Sequence, residues 1–404
     1  MNTLHVGVAK ADITPASLAR INPMGGGDFA GVHDPLFLRA IVLSDGDVDA
    51  ALVSCDLIEA GDMTDVRKRI ERQLGIPFGH IFITATHSHN APRIGEVSPG
   101  ALAHGGGPEV AAYTEHVYGT MIDALRRAKA TARPARFGLG AGSADVNVNR
   151  DEYVDGRWRI GCDPEGPSDK TVWVARFDDL DGAPIAVLVN YAVHSTVTLG
   201  TKEISGDLAG AASRYVERHL GGDVVALWTP GPLGDQAPRV CLERAPGEQP
   251  AFAYEAMDAQ GLIVGAEVVR VARSITQMTS TGRVRAADRV VACPVKRGVD
   301  VLEDMKQEDV PFVSLRLGLI MLNQVALVGV SGEIVTRIYQ RLRRESPLAA
   351  TILISIVNDR IGYIADDAAY DRPTHEVNGS PIQRGYAEDA IVAGTVDMIS
   401  AAAL

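Results

Sequence analysis

The sequence predicts an α/β fold, on the basis of two observations. Short apolar segments alternate along the chain with longer amphipathic segments, an order typical of strands followed by helices. The most apolar segments, such as residues 185–189, are short and β-branched, as buried strands are. The chain has 404 residues and no internal repeat, so it is expected to fold throughout, as one large domain or as two to three smaller ones.

The predicted elements follow one another from the first residues onward. The N-terminus leads directly into a strand, and residues 39–55 form a strand pair around the turn sequence SDGD at 44–47. The next elements are a helix at 63–74, a strand at 81–84, a helix at 108–128, strands at 172–177 and 184–193, a helix at 208–219 and a strand at 224–229. The last are a helix at 254–277, strands at 283–295, 312–317 and 321–330, and helices at 333–344 and 386–404.

The charge and composition exclude several classes of function. A formal net charge of −12 disfavours binding to nucleic acid or anionic lipid, since both require clusters of Lys and Arg that this sequence lacks. No apolar stretch reaches the roughly 18 residues that a membrane span needs, and residues 1–8 do not resemble a secretory signal. Because the four cysteines form no CxxC pair, we expect reduced thiols in a cytoplasmic protein. They are Cys55, Cys162, Cys241 and Cys293.

Two histidines follow the predicted strand at 81–84, in the run ATHSHNAP at 85–92. Because His87 and His89 are two residues apart in an extended segment, their side chains point to the same side and both can face one metal ion or one substrate. The alternative is a pair of hydrogen-bonded polar side chains at the end of a strand.

Further polar residues come after other predicted strands. His194 directly follows the apolar strand 187–193, where α/β sheets place their ligands, although a lone histidine there is more often part of the core. Asp207 and Asp235 lie in the short loops SGD and GPLGDQAP, and Asp207 is also a candidate helix cap. Glu333 follows the strand 321–330 and is either a metal ligand or a helix-start glutamate favoured by the helix dipole.

Taken together, these segments resemble the neutral/alkaline ceramidase family. The first part of the chain matches the opening of that family in GVAKADITP (7–15), GVHDPLFLRA (31–40) and THSHNAP (86–92). Later motifs follow in the same order in NYAVH (190–194), ISGD (204–207), GD (234–235), GE (332–333) and NDRIGY (358–363). The resemblance implies mixed β-sheets with flanking helices, and a single catalytic domain over residues 1–404 without the C-terminal immunoglobulin-like module of the longer ceramidases.

The same resemblance implies one Zn²⁺ per chain and a zinc-dependent hydrolase that acts on carbon–nitrogen bonds. By motif position its ligands are His87, His194, Glu333 and Tyr363, with Tyr370 competing for the role of the tyrosine. Histidine nitrogen and carboxylate oxygen are ordinary zinc ligands, and a catalytic zinc leaves one position open for water or substrate. Such a zinc lowers the pKa of its bound water to roughly 7.

Other roles are also carried over by position. Arg150, in NVNR at 147–150, is expected to contact the substrate and steady the oxyanion. His89, a side chain with an unperturbed pKa of about 6.5, is expected to transfer a proton to the leaving amine. Carboxylates often orient the histidine ligands of zinc. The candidates for this supporting shell are Asp56, Asp207 and Asp235.

The sequence departs from the family pattern at residues expected to contact the substrate. Ala237 stands where the family has a serine, and Tyr370 and His375 lie in a stretch that is richer in tyrosine in the family. Losing a buried hydroxyl removes a hydrogen bond worth about 1 kcal/mol. We therefore expect a small soluble amide, lactam or ester as substrate, no nucleic-acid or membrane partner, and leave homo-oligomerisation open. The alternatives are a genuine ceramidase, a metal phosphoesterase, and a metal- or ligand-binding protein without catalysis.

Overall fold

A computed structural model describes residues 2–25, 27–95, 107–221, 223–240, 250–296 and 311–403. The strands in this part of the chain are β1 (Asn2–Thr3), β2 (His5–Asp12), β3 (Gly31–Val32), β4 (Phe37–Ser44), β5 (Asp49–Cys55), β6 (Ile81–Ala85), β7 (Arg133–Ser143), β8 (Asn147–Val154), β9 (Arg157–Asp163), β10 (Thr171–Asp179), β11 (Pro184–Tyr191), β12 (Glu203–Ile204), β13 (Val225–Pro230), β14 (Gln236–Pro238), β15 (Thr281–Gly282), β16 (Val284–Pro294), β17 (Phe312–Leu322), β18 (Val325–Val330), β19 (Glu333–Ile334), β20 (Ala350–Ile354) and β21 (Tyr363–Ile364). The helices are α1 (Thr64–Leu74), α2 (Pro108–Ala130), α3 (Asp207–Leu220), α4 (Pro250–Ser274), α5 (Thr336–Glu345), α6 (His375–Asn378) and α7 (Ala387–Ala403).

Two sheets dominate the architecture, and both are mixed. The larger has eight strands in the order β13-β11-β10-β7-β2-β4-β5-β6, with parallel pairs at its two ends and antiparallel pairs between. The smaller has four strands in the order β16-β17-β18-β20. A three-stranded sheet, β14-β8-β9, and several two-stranded pairs complete the described part of the fold.

The central strands are apolar on both faces because each sheet is covered on both sides. In β4, Ala40 and Val42 pack in the cluster that contains the helix α2, whereas Ile41 and Leu43 pack against the smaller sheet. This alternation follows from the period of two in a strand. Helices α3 and α4 cover the other half of the large sheet, and α5 and α7 cover the outer face of the small one. The result is four layers: helices, large sheet, small sheet, helices.

The predicted α/β class with mixed sheets and flanking helices is confirmed, and most predicted elements are present within a few residues of their bounds. Two bounds are wrong. The strand predicted at 321–330 is split, because Met321 and Leu322 end β17 and a turn at Asn323 precedes β18. The helix predicted from residue 333 begins only at Thr336, because Glu333 belongs to the short strand β19.

The structure also describes the thiols and the longer helices. Cys55 and Cys293 are buried free thiols and Cys162 is an exposed one, whereas Cys241 lies outside the described residues. In the part of the chain that the structure describes, no helix is both long and apolar enough to cross a membrane.

Candidate active site

The candidate site lies where several strands of the two sheets end. His87 follows β6 and His194 follows β11, while Glu333 and Tyr363 are paired residues of the parallel strands β19 and β21. The two histidine loops are tied together, since the backbone N–H of His89 donates to the carbonyl of Ser195 at 3.1 Å. The folds of both sheets therefore bring four side chains, far apart in sequence, to one place.

Backbone carbonyl groups fix the tautomers of two of the imidazole rings that converge at the site. His87 donates from Nδ1 to the carbonyl of Ile58 at 2.7 Å, and His194 donates from Nδ1 to the carbonyl of Gln236 at 3.0 Å. Since each Nδ1 carries the proton, each Nε2 presents a lone pair to the site. The ligand nitrogens of His87, His89 and His194 all lie within 4.8 Å of one another.

A carboxylate oxygen lies among these lone pairs. Glu333 Oε2 is 3.1 Å from His194 Nε2 and 3.3 Å from His87 Nε2, and the Glu333 side chain is fully buried. A carboxylate facing two unprotonated nitrogens is repelled by them unless a cation neutralises the cluster. The donor set, with neutral imidazoles and an ionised carboxylate, fits a zinc ion.

The environment holds these groups in the ionisation states that metal binding requires. Burial, assisted by the nearby Arg150, lowers the pKa of His194 to about 3, so its ring is neutral at physiological pH. Burial alone would raise the pKa of Glu333, but the guanidinium of Arg360 outweighs it and holds that pKa well below its ordinary value. The carboxylate therefore stays ionised although it is buried.

Arg360 and Glu59 belong to this cluster but are not among the residues singled out from the sequence. Arg360 donates to Glu333 Oε1 from Nε at 2.8 Å and from Nη2 at 2.6 Å, and its Nε also lies 3.3 Å from Glu59. One oxygen of Glu333 is thus held by a guanidinium while the other faces the histidines. The only sequence signal for Arg360 is its place in the NDRIGY segment at 358–363.

Arg150, the predicted substrate contact, lies beside the histidines, and its orientation is set by Glu376, a residue that no local sequence pattern marks. Its Nε donates to Glu376 Oε1 at 2.7 Å, and its Nη1 lies 3.2 Å from His194 Nε2. Its Nη2 is buried and has no hydrogen-bond partner among the described residues. This N–H group is available to a bound substrate.

The two competing tyrosines occupy different places. The guanidinium of Arg150 lies 5.4 Å from the ring centre of Tyr363, and burial followed by the charge of Glu333 raises the pKa of the Tyr363 phenol. Tyr370 instead donates its hydroxyl to the carbonyl of Ile382 at 2.6 Å and packs in a small separate apolar cluster. The geometry places Tyr363, and not Tyr370, next to the candidate ligands.

His375 and Ala237 flank the site at different depths. His375 is exposed at the start of α6, and its ring packs edge-on against Tyr363 with 5.0 Å between centroids. Ala237 is buried in β14, opposite Val148 on the strand that carries Arg150. Both therefore lie on elements that adjoin the candidate ligands.

The expectation that Asp56, Asp207 and Asp235 orient the histidines is wrong for direct contacts, because the backbone carbonyls of Ile58 and Gln236 fill that role. The three carboxylates serve neighbouring segments instead. Asp56 accepts from Phe37 N and Arg39, Asp235 accepts from Asn149 and Thr336, and Asp207 accepts from Val197 N and Thr198. Asp207 is the first residue of α3 and ties the His194 loop to that helix rather than capping it in the usual way.

His89 lies in a fully buried environment beside the other two histidines. Burial, followed by the neighbouring His87 and His194, lowers its pKa well below the ordinary value. Its Nε2 lies 3.2 Å from His87 Nε2, and its Nδ1 is buried without a partner in the described structure. The ring is therefore neutral and has one nitrogen free for a substrate or a metal ion.

The backbone around the site adopts an uncommon conformation. His87 has a φ of +63°, and Ile356 and Asn358 in the loop before Arg360 have φ values of +57° and +63°. Such left-handed conformations are costly for residues other than glycine, most of all for a β-branched one. Their clustering at the candidate ligands is typical of functional sites.

Comparison with known proteins gives matches to one family. Residues 4–255 match the sequence model of the neutral/alkaline non-lysosomal ceramidases, N-terminal part. Neutral ceramidase of Drosophila melanogaster is 27% identical over 263 residues, which cover 59% of this chain and 36% of that protein. Neutral ceramidase B of Dictyostelium discoideum is 26% identical over 55% of this chain and 32% of its own length. The chain thus spans about a third of the length of these relatives.

The fold has a counterpart of known structure. Neutral ceramidase from Pseudomonas aeruginosa superimposes with a TM-score of 0.82 and 19% identity, covering all of this chain and 75% of that one. A ceramidase complexed with C2 gives a TM-score of 0.79 with 17% identity, over all of this chain and 76% of that one. These superpositions confirm the predicted architecture.

Proposed function

Because this chain belongs to the neutral/alkaline non-lysosomal ceramidase family, we propose that it is a zinc-dependent hydrolase of an amide-type bond. The observation that carries the proposal is the convergence of three acceptor atoms, His87 Nε2, His194 Nε2 and Glu333 Oε2, whose mutual repulsion a bound cation relieves. Tyr363 is proposed as the fourth ligand. Zinc in such a site supplies an activated water at neutral pH and polarises a carbonyl group.

The residues around the ligands have complementary tasks in the proposed reaction. Arg150, fixed by Glu376, directs its unpartnered Nη2 at the substrate and stabilises the negative charge that develops on the carbonyl oxygen. His89, with a free Nδ1, relays a proton to the departing amine. These assignments require that both groups be within hydrogen-bonding reach of one bound amide.

We propose a small polar amide, lactam or ester as substrate rather than a long-chain ceramide. Ala237 has no hydroxyl to bind a head group, and the side chains that adjoin Arg150 include the buried carboxylate of Glu376. Long alkyl chains require apolar surface, and burying a charged group against them is costly. Charged walls thus favour polar substrates.

The test combines metal analysis with a substrate panel. Purified protein is expected to contain one zinc per chain, and His87→Ala, His194→Ala and Glu333→Gln should lose it, since each change removes a side chain that binds the metal. Full zinc occupancy in His194→Ala would show that the ligand set is wrong. Zinc-replete enzyme is then compared on long-chain ceramide, short linear amides, cyclic amides and esters.

The same experiment separates the alternatives. Turnover of ceramide with no activity on the small amides would overturn the proposed substrate and support a genuine ceramidase, the activity for which the curated relatives are named. Two metal ions per chain would favour a phosphoesterase site. Ligand binding by zinc-loaded protein without hydrolysis of any amide or ester would favour a binding protein.

A further inference from the structure

A small acidic pocket adjoins the candidate active site on the far side of Arg150. Five carboxylate residues and two arginines line it, and its cavity volume is about 20 Å³, which is room for one water-sized group. Two of the carboxylates already have partners. Asp235 accepts hydrogen bonds from Asn149, Gln236 and Thr336, and Asp366 lies in the field of the two arginines.

Asp151 and Glu376 differ from the other carboxylates of the pocket. Glu376 is 1% exposed, and its Oε1 accepts from Arg150 Nε at 2.7 Å. Its Oε2 is buried and receives no hydrogen bond from any described residue. The carboxyl group of the partly buried Asp151, the neighbour of Arg150 in sequence, is in contact with that of Glu376. Two carboxyl groups therefore face each other with only a shared proton between them, and no permanent donor of the described residues reaches Glu376 Oε2.

The cation that could replace this proton is more readily an organic cation than a metal ion. Among the described residues, the only group of three or more His, Cys, Asp and Glu ligand atoms within 4.8 Å of one another is the histidine cluster of the candidate site. The acidic pocket therefore lacks the ligand number that a divalent cation takes. A primary ammonium group fits better, because it is about the size of a water molecule and donates three hydrogen bonds.

We propose that the pocket binds a primary ammonium group of the amide substrate between Asp151 and Glu376. This inference rests on the proposed amide hydrolysis and assigns its substrate to a class, amides that carry an amino group elsewhere in the molecule. Arg150 connects the two sites, since Nε contacts Glu376 and Nη1 contacts His194. The ammonium group therefore anchors the substrate one guanidinium away from the candidate metal ligands.

The charge state of the free pocket agrees with this assignment. Burial, followed by the contact with Glu376, raises the pKa of Asp151 to about 9. One shared proton therefore leaves the carboxyl pair with a single negative charge, and a cation that enters the pocket takes the place of that proton. No basic side chain among the described residues is hydrogen-bonded to Glu376 Oε2.

The test uses full-length, zinc-loaded protein and matched substrates. N-acetyl-1,6-diaminohexane is compared with N-acetylhexylamine, and the anilide of 6-aminohexanoic acid with that of hexanoic acid, so that the ammonium is offered on either side of the amide. We expect kcat/KM at least tenfold higher for the cationic member of one pair. Asp151→Asn should reduce that preference at least tenfold, mainly through KM, whereas Glu152→Gln should leave the kcat/KM of both members within about twofold of wild type.

Glu152→Gln is the matched control, because Glu152 is the next residue of the same strand and pairs with Arg159 outside the pocket. Binding is also measured by calorimetry with hexylammonium and 1-hexanol, a readout independent of hydrolysis. Equal affinity of wild type for these two probes, or for neither, overturns the ammonium site. A preference for hexylammonium that Asp151→Asn abolishes, without cleavage of any amide, supports the ammonium site and rejects the proposed hydrolysis alone.

Discussion

Glu333 illustrates how single residues build this site. The side chain is completely buried, yet one carboxylate oxygen is saturated by Arg360 and the other faces His87 and His194. Burying a carboxylate is tolerable only when it is paired or coordinates a metal, and Glu333 has a partner on one side and a place for a metal on the other. The two carboxylate oxygens of Glu333 therefore have different roles, one bound to the guanidinium of Arg360 and the other directed at the candidate metal position.

Tyr363 and Tyr370 give a prediction at this scale. Tyr363→Phe is expected to lower activity at least tenfold while most of the zinc is retained, because a phenol is the weakest of the four proposed ligands. Tyr370→Phe loses hydrogen bonds to the Ile382 carbonyl and the Ser380 hydroxyl, so it should cost about 1–2 kcal/mol of stability and leave kcat unchanged. Zinc content, kcat and thermal melting distinguish the two. Equal loss of kcat in both variants would contradict this placement.

Asp151 gives a prediction about pH. Its pKa is raised from 3.8 to about 9 in the folded protein, so between these values the folded chain holds a proton that the unfolded chain has lost. Stability from this group is therefore full below pH 3.8 and declines as the pH rises toward 9. Asp151→Asn removes the decline. Its melting temperature should exceed that of wild type at pH 8.5 by more than it does at pH 4.5.

A constant difference in melting temperature across that pH range would contradict the raised pKa of Asp151. Glu152→Gln again serves as the control, because Glu152 pairs with Arg159 and does not contact Glu376.

At the scale of the elements, two glycines test the packing of the layers. A Cβ on Gly318 in β17 would lie 2.5 Å from the Phe82 ring of the facing sheet, whereas a Cβ on Gly119 in α2 would meet nothing within 4 Å. Gly318→Ala should destabilise the protein by about 1–3 kcal/mol through overpacking. Gly119→Ala should stabilise it by about 1 kcal/mol, since alanine favours a helix. Chemical denaturation measures both changes in the free energy of unfolding, provided that the two variants unfold with the same dependence on denaturant concentration.

The elements that the sequence analysis missed have a physical reason for being hard to see. Strand β7 has glycine at 138, 140 and 142, and each lies so close to α4 or the loop after it that a Cβ would clash. Close packing thus replaces the β-branched residues that usually reveal a strand. The hairpin of β8 and β9 is mostly polar and partly exposed, so it has no apolar period either.

The candidate site likewise contains some residues that local sequence patterns mark and others that they do not. His87, His194 and Glu333 follow strands with clear apolar patterns, and their motifs match a family, so their convergence could be expected. Glu376 and Arg360 act through partners 226 and 27 residues away in the chain, and no local pattern marks such pairs. Only the assembled sheets show that Glu376 orients Arg150.

The chain as a whole is strongly acidic, with a formal net charge of −12. An acidic surface is repelled by the anionic lipids that hold basic proteins at membranes. This chain is therefore expected not to co-sediment with vesicles of phosphatidylcholine and phosphatidylserine at low or physiological salt. Salt-insensitive co-sedimentation would contradict the expectation and indicate an apolar docking surface instead.

The left-handed backbone of His87 is a strain that a glycine at this position would not have. Glycine would relieve roughly 1 kcal/mol of that strain. It would also delete a buried imidazole, its hydrogen bond to the Ile58 carbonyl and a candidate metal ligand, losses that together exceed the gain. A library of variants sorted for heat resistance in the presence of zinc should therefore retain His87, so that stability and catalysis favour the same residue at this strained position.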